Sequence, residues 1–288
     1  MNFIRHKDTS PRILYFGTTN SFSLPPLLAL LRAGHQLVGL VIPDNPSQSE
    51  LEENTIQLLP IQTNDTIVGR ARTHQIPIWS LSQLPDTLEF ELLIVACFPH
   101  ILPLTLLNRA STAALNIHPS KLPKYRGPTP LFWQLRDGMR EIGVTLHHMT
   151  TQIDAGNIVT QTSVPLPTGI SGASANMLLA TKGANMLVNT LDGRDFSGRP
   201  QEGPESYQTW PQTQDWQVPA SWPVLHAFNF MRSTEEWGHR FTLLSHQKTV
   251  TARSAIDFSH GKSTPGTLRL SKSGDYEMGF TNGWIRFR

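Results

Sequence analysis

Arg12–Ile42 reads RILYFGTTNSFSLPPLLALLRAGHQLVGLVI, and its punctuation decides the fold class. Arg12–Phe16 is an apolar run after Pro11, closed by the turn residues Gly17-Thr18-Thr19-Asn20, so it predicts a strand. Ser21–Ala33 carries Leu24, Leu27, Leu28 and Leu31 at helical spacing and stops at Gly34. Pro25 and Pro26 fit only its first turn, where the missing N–H groups cost no intrahelical bond. Gln36–Ile42 is a second strand. A strand–helix–strand opening predicts an α/β domain with a doubly wound, mostly parallel sheet.

The pattern continues. Glu91–Phe98 reads as a buried strand, Pro103–Arg109 as a short helix and Ala113–His118 as the next strand. A helix over Pro128–Gly138, strands over Gly143–Met149 and Asn157–Val164, and a helix over Ala173–Leu191 complete a first domain, 1–193. Arg194–Pro219 holds four prolines (200, 204, 211, 219) and few aliphatics, which predicts a linker over 194–219. Short β-like pieces then recur at Arg240–Leu244, Thr249–Arg253, Gly266–Ser271, Tyr276–Phe280 and Trp284–Phe287. They predict a smaller C-terminal β-barrel-like domain, 220–288.

Composition excludes several classes. At 288 residues, 39% of them hydrophobic, the chain can bury a sizeable core over about two domains. No apolar run approaches the roughly 20 residues of a membrane span, and the first residues lack the apolar stretch of a secretory signal. Cys97 is the only cysteine, so no internal disulfide forms, no cysteine cluster holds a metal, and a reducing cytoplasm fits. A formal charge of +2 does not by itself argue for nucleic acid.

The chemistry gathers at Asn116-Ile117-His118-Pro119-Ser120 and, 36 residues beyond the histidine, at Ile153-Asp154-Ala155-Gly156. Two apart on a strand, Asn116 and His118 project from one face. An amide and a titratable imidazole at a strand's carboxyl end can hold a developing oxyanion, and Asp154 can set the tautomer and charge of the imidazole. In open α/β sheets the crevice outside the strand ends is where ligands bind. Acyl transfer is the chemistry such a set serves. His147 and His148, adjacent on the expected strand Gly143–Met149, read as structural. Gly17-Thr18 is not part of a G-x-G-x-x-G, so no dinucleotide is implied.

Leu115–Gly127 (LNIHPSKLPKYRG) and Gly143–Gln161 (GVTLHHMTTQIDAGNIVTQ) resemble the signature of the folate-dependent formyltransferases. Within that family the methionyl-tRNA formyltransferases and the sugar N-formyltransferases look closest. Phe16–Leu31 is similar to the family's opening segment, Cys97–Pro103 (CFPHILP) to its folate-pocket loop, and Pro265–Phe287 to its C-terminal barrel, of OB-like type. The resemblance implies transfer of a formyl group from N10-formyltetrahydrofolate, as co-substrate, to a primary amine, without a metal. By that resemblance Asn116, His118 and Asp154 would be catalytic. Phe98, Ile101 and Leu102 would line the pterin pocket, beside Ser120, Leu122 and Pro123.

Lys124 and Arg126 would meet an anionic acceptor, either charged initiator tRNA or an amino-sugar nucleotide. The departures bear on which. Pro43–Gly69, where the tRNA enzymes carry a basic loop, has five acids and no Lys or Arg. Residues 205–288 hold nine Lys and Arg against seven Asp and Glu, and Lys121 replaces an apolar residue of the family's Ser-Leu-Leu-Pro pattern. Both acceptors stay open, as does a folate-binding paralogue without turnover.

Overall fold

A computed structural model describes residues 10–44, 65–244, 249–271 and 274–288. Most of the acidic Pro43–Gly69 stretch therefore lies outside the described residues. Strand β1 (Ile13–Gly17) is buried at all five positions, as the apolar run requires. Helix α1 (Leu24–Arg32) has its prolines in the first turn and buries Leu24, Leu27 and Leu30. Strand β2 (Leu37–Ile42) returns parallel to β1.

Five parallel strands and two antiparallel ones make one sheet. Strand β3 (Ile78–Ser80) pairs beyond β2, while β4 (Phe90–Ala96) and then β5 (Ala110–His118) extend the sheet from the other side of β1. Strands β6 (Glu141–His148) and β7 (Ile158–Pro165) add on antiparallel, giving the order β3-β2-β1-β4-β5-β6-β7. The chain leaves β1 for β2 on one side and β4 lies on the other. That reversal opens a crevice at the carboxyl ends of β1, β4 and β5. Buried on both faces, Leu92, Leu93 and Ile94 of β4 have no exposed surface, each side chain contributing roughly 2 kcal/mol by its burial.

Helices cover the faces. Helix α2 (Ile67–Thr73) precedes β3 and is capped by Thr66, whose side chain accepts from Gly69 N. Short α3 (Leu104–Leu107) links β4 to β5, and α4 (Pro130–Arg136) links β5 to β6. Helix α5 (Gly172–Gly193), capped by Ser171, buries Leu179, Ala180, Leu187 and Leu191 against α1 and the sheet.

The C-terminal part is β-rich around one helix, α6 (Val224–Thr234). Strands β8 (Gln217–Pro219), β9 (Phe241–Leu244) and β10 (Thr249–Ala252) form one small sheet. Strands β11 (Ala255–His260), β12 (Leu268–Leu270), β13 (Tyr276–Phe280) and β14 (Gly283–Phe287) form an antiparallel one. The expected small β structure is thus present as two sheets, and among the described residues no ladder joins them into a barrel. Ala255–His260 went unread because its buried positions do not alternate. Trp216 and Trp237 pack on Phe132 of α4, and Phe230 of α6 does the same, so one buried cluster runs through both parts of the chain.

Candidate active site

Asn116 and His118 end β5, and β6 lies antiparallel beside it with Asn116 opposite His147 and His118 opposite Thr145. The two-residue period then puts all four side chains on one face. Asp154 arrives from the turn between β6 and β7, in a left-handed backbone conformation with φ of 51°. Gly156 follows because a Cβ there would stand 1.9 Å from the His148 carbonyl oxygen.

The carboxylate of Asp154 is the hub. One oxygen accepts from Gly127 N at 2.9 Å and lies 3.5 Å from His118 Nδ1. The other is 3.6 Å from His147 Nε2 and accepts from Asn116 Nδ2 at 3.4 Å. Gly127 can offer its N–H only because it is glycine. Its φ is +108°, and a Cβ would fall 2.1 Å from the Gln208 carbonyl oxygen.

Hydrogen-bond partners assign the ring protons. His118 Nε2 is 2.9 Å from the Tyr125 carbonyl, which can only accept, so Nε2 carries a proton. His147 Nδ1 donates in the same way to the His148 carbonyl at 2.8 Å. That leaves His147 Nε2 to accept from Asn116 Nδ2 at 3.2 Å. His118 Nδ1 faces the carboxylate and is where a second proton would be held.

Burial pushes the His118 imidazole below its ordinary value; Asp154 pulls the other way without overcoming it. Burial also works against the Asp154 charge, yet the attraction of the imidazolium that His118 can form beside it and the Gly127 N–H outweigh it and hold the carboxyl well below the usual carboxylate range. An ionised Asp154 beside a neutral, protonatable His118 is a proton-accepting pair. Among the described residues, no three His, Cys, Asp or Glu side chains are grouped as metal ligands would be.

The loop after β5 is held from beneath. Thr145, fully buried, donates to the Ser120 carbonyl at 2.7 Å, accepts from Leu122 N and receives the Gln161 amide at 2.8 Å. Ser120 Oγ donates to the Lys124 carbonyl at 2.8 Å, and Gln134 Nε2 to the Pro119 carbonyl at 2.8 Å. Ser120 and Leu122 are buried and Pro123 is half-buried.

At the crevice, Phe98 sits just past β4, edge-on to Phe16 with ring centres 5.3 Å apart. Leu102 is buried, whereas Ile101 is 67% exposed. Lys124 is exposed. The Arg126 guanidinium is engaged, donating to Glu205 at 2.6 Å and to Gln201 at 2.7 Å. These contacts come from residues 199–208, which fall in the stretch expected to be a linker. That stretch lies along the loop: Ser206 Oγ accepts from Tyr125 N, and Gln208 N donates to the Arg126 carbonyl.

His147, expected to be structural, faces Asn116 across the two strands, and Gln201, for which the sequence carries no local signal, reaches the Asp154 carbonyl.

Residues 11–191 match the family model described as formyl transferase. A methionyl-tRNA formyltransferase of Pelobacter propionicus is 30% identical over 287 residues, covering 95% of this chain and 86% of that protein. Two solved structures share the fold across almost the whole of both chains. The N-formyltransferase from Helicobacter canadensis, in complex with folinic acid and dTDP-3-aminofucose, has a TM-score of 0.62 at 14% identity, covering 97% of this chain and 98% of that one. Methionyl-tRNA formyltransferase from Clostridium thermocellum has a TM-score of 0.53 at 12% identity, covering 96% and 99%. With its α/β part matched throughout by the family model, this chain belongs to the formyl transferase family, a family of formyl-transferring enzymes.

Proposed function

We propose that the chain transfers the formyl group of N10-formyltetrahydrofolate to a primary amine at Asn116, His118 and Asp154, with charged initiator tRNA as acceptor. The observation that carries this is the convergence at the sheet's carboxyl edge of Asn116 and His118 with Asp154, which lies 38 residues beyond Asn116 in sequence. The crevice suits the co-substrate. Phe98, backed by the buried Leu102, would give an apolar wall for a flat ring, and the loop of Ser120, Leu122 and Pro123, braced by Thr145, would border the pocket through its backbone.

Attack by a neutral amine puts negative charge on the formyl oxygen. Asn116 Nδ2 makes only long contacts, of 3.2 and 3.4 Å, and can exchange one for a charged acceptor. Such a donor is worth about 3 kcal/mol in the transition state. Asp154 and His118 accept the proton that the amine sheds, directly or through a water. The same proton is then available to N10 as it departs, so the count closes. Lys124 and Arg126 flank the acceptor side. Residues 1–193 act here as the catalytic domain, 220–288 as the small β domain, and the setting is cytoplasmic.

An amino-sugar nucleotide is the second reading, favoured by the Pro43–Gly69 segment, which has five acids and no bases. The test offers 10-formyltetrahydrofolate with charged initiator tRNA in one reaction and with an aminodeoxy-sugar nucleotide in another. Formylation of the tRNA alone supports the first reading; formylation of the sugar alone replaces it with the second. No transfer to either, with folate bound, points to a folate-binding paralogue without turnover.

A further inference from the structure

We infer that Gln201 is a positioning residue for the catalytic carboxylate, holding the Asp154 turn in register with the loop that carries Arg126 and Gly127. The inference deepens the proposed reaction and rests on that reading. Gln201 Nε2 donates to the Asp154 carbonyl at 2.7 Å and to the Gly156 carbonyl at 2.8 Å. Its Oε1 accepts from Arg126 Nη2 at 2.7 Å and from Nε at 3.2 Å. All four hydrogen-bonding capacities of the amide are thereby used. The orientation is also forced: reversed, it would set an oxygen against two carbonyls and an NH2 against a guanidinium.

The contacts close a ring. Asp154's carboxylate grips Gly127 N, Gly127 adjoins Arg126, Arg126 grips Gln201, and Gln201 grips Asp154's carbonyl. Asp154 sits in a left-handed backbone, which aspartate tolerates better than most residues with a Cβ, and the two bonds from Gln201 fix its own carbonyl and that of Gly156. Gln201 itself is held from both sides, by the Ile158–Arg199 backbone pairing before it and by Ser206 and Gln208 on the 123–127 loop after it. The segment joining the two parts of the chain thus reaches the reacting groups through one side chain. Gln201 touches neither His118 nor the crevice floor in these contacts, so its action runs through Asp154.

The test uses Gln201→Leu and Gln201→Glu in the full chain. The glutamate keeps the size and the Arg126 contact but cannot donate to the two carbonyls, so it stands as the foldable variant if leucine unfolds. NMR titration of the His118 ring reads the carboxylate's position independently of turnover. In Gln201→Leu the His118 midpoint is expected to move down as the carboxylate loses its place, and in Gln201→Glu to leave its wild-type position. In parallel kcat should fall about tenfold or more, with the KM for 10-formyltetrahydrofolate changing by less than about twofold. A His118 titration unchanged in a folded Gln201→Glu protein overturns the inference, whatever kcat does, as does unchanged kcat with a moved titration. Failure of the proposed reaction would be read separately, as wild-type protein that transfers no formyl group while its His118 still responds to Gln201.

Discussion

Asp154 is gripped from two sides, and the two are built differently. On one side, Asn116, His118 and His147 stand on neighbouring strands whose ladder fixes them before any side chain forms a bond. On the other, Gly127, Arg126 and Gln201 sit on irregular segments that hold one another by side-chain and isolated backbone bonds. In the proposed reaction the first side carries the groups that exchange protons and stabilise charge, and the second holds position, with Arg126 also turned to the acceptor side. Variants on the sheet side should therefore remove chemistry, variants beneath it should cost stability, and the two effects should separate.

The largest effect belongs to His118→Ala. It deletes the site where a proton is received, so kcat should fall about 10³-fold or more; the ring is buried and donates to the Tyr125 carbonyl, so the melting temperature falls as well and activity is scored on the protein that remains folded. Single-turnover formyl transfer measured beside a thermal melt checks this. Full activity would mean that the sheet side is not where the chemistry happens. Asn116→Ala removes one donor and should lower kcat about 10²-fold. His147→Phe comes next. It strips Asn116 of an acceptor that orients its amide, and an unmet hydrogen bond of that kind costs roughly 1–2 kcal/mol, about tenfold in rate. If His147→Phe costs as much as His118→Ala, the ring at 147 handles protons itself and the division of labour on the sheet needs redrawing.

These unequal expectations follow what the sequence made legible. Asn116 and His118 declared themselves through a two-residue period at the end of an apolar run, a local signal. His147 stayed hidden because its role depends on which residue of β6 faces Asn116, and register between antiparallel strands is set by contacts distant in sequence. Gln201 lies in a proline-punctuated stretch that reads as a connector. Only folding brings it to Asp154, 47 positions away. The parallel sheet was legible for the same reason as Asn116: β1, α1 and β2 are adjacent in the chain. The division of the C-terminal strands into two sheets was not, because β8, before α6, pairs with β9 after it.

Beneath the sheet side, Thr145→Val separates support from chemistry. The valine keeps the shape but leaves the Ser120 carbonyl, Leu122 N and the Gln161 amide each short of a partner in a fully buried spot. The expected cost is about 2–3 kcal/mol, a fall of several degrees in melting temperature. Turnover by the protein that remains folded should change much less than in Asn116→Ala. Equal losses would show that the loop's position and the reacting groups are not separable.

The smallest effect is in pH, and its sign follows from the two shifts at the hub. Burial holds His118 below its ordinary value of 6.5, against the pull of Asp154. As pH falls below 6.5 the unfolded chain takes up this proton before the folded one, so the folded state loses stability, at most by about 1.4 kcal/mol per pH unit. Asp154 behaves as its lowered carboxyl requires: its contribution is present above the ordinary value of 3.8 and is lost only as pH drops beneath it. Between pH 8 and 5, then, only His118 of this pair is titrating against the fold. Melting temperature should decline across the lower part of that range in wild type and decline less steeply in His118→Ala. Parallel curves would mean that the imidazole is not held neutral by its burial. The active fraction should follow the same midpoint, because the imidazole must be free to receive a proton: the acid limb of kcat/KM in the free enzyme is expected below pH 6.5.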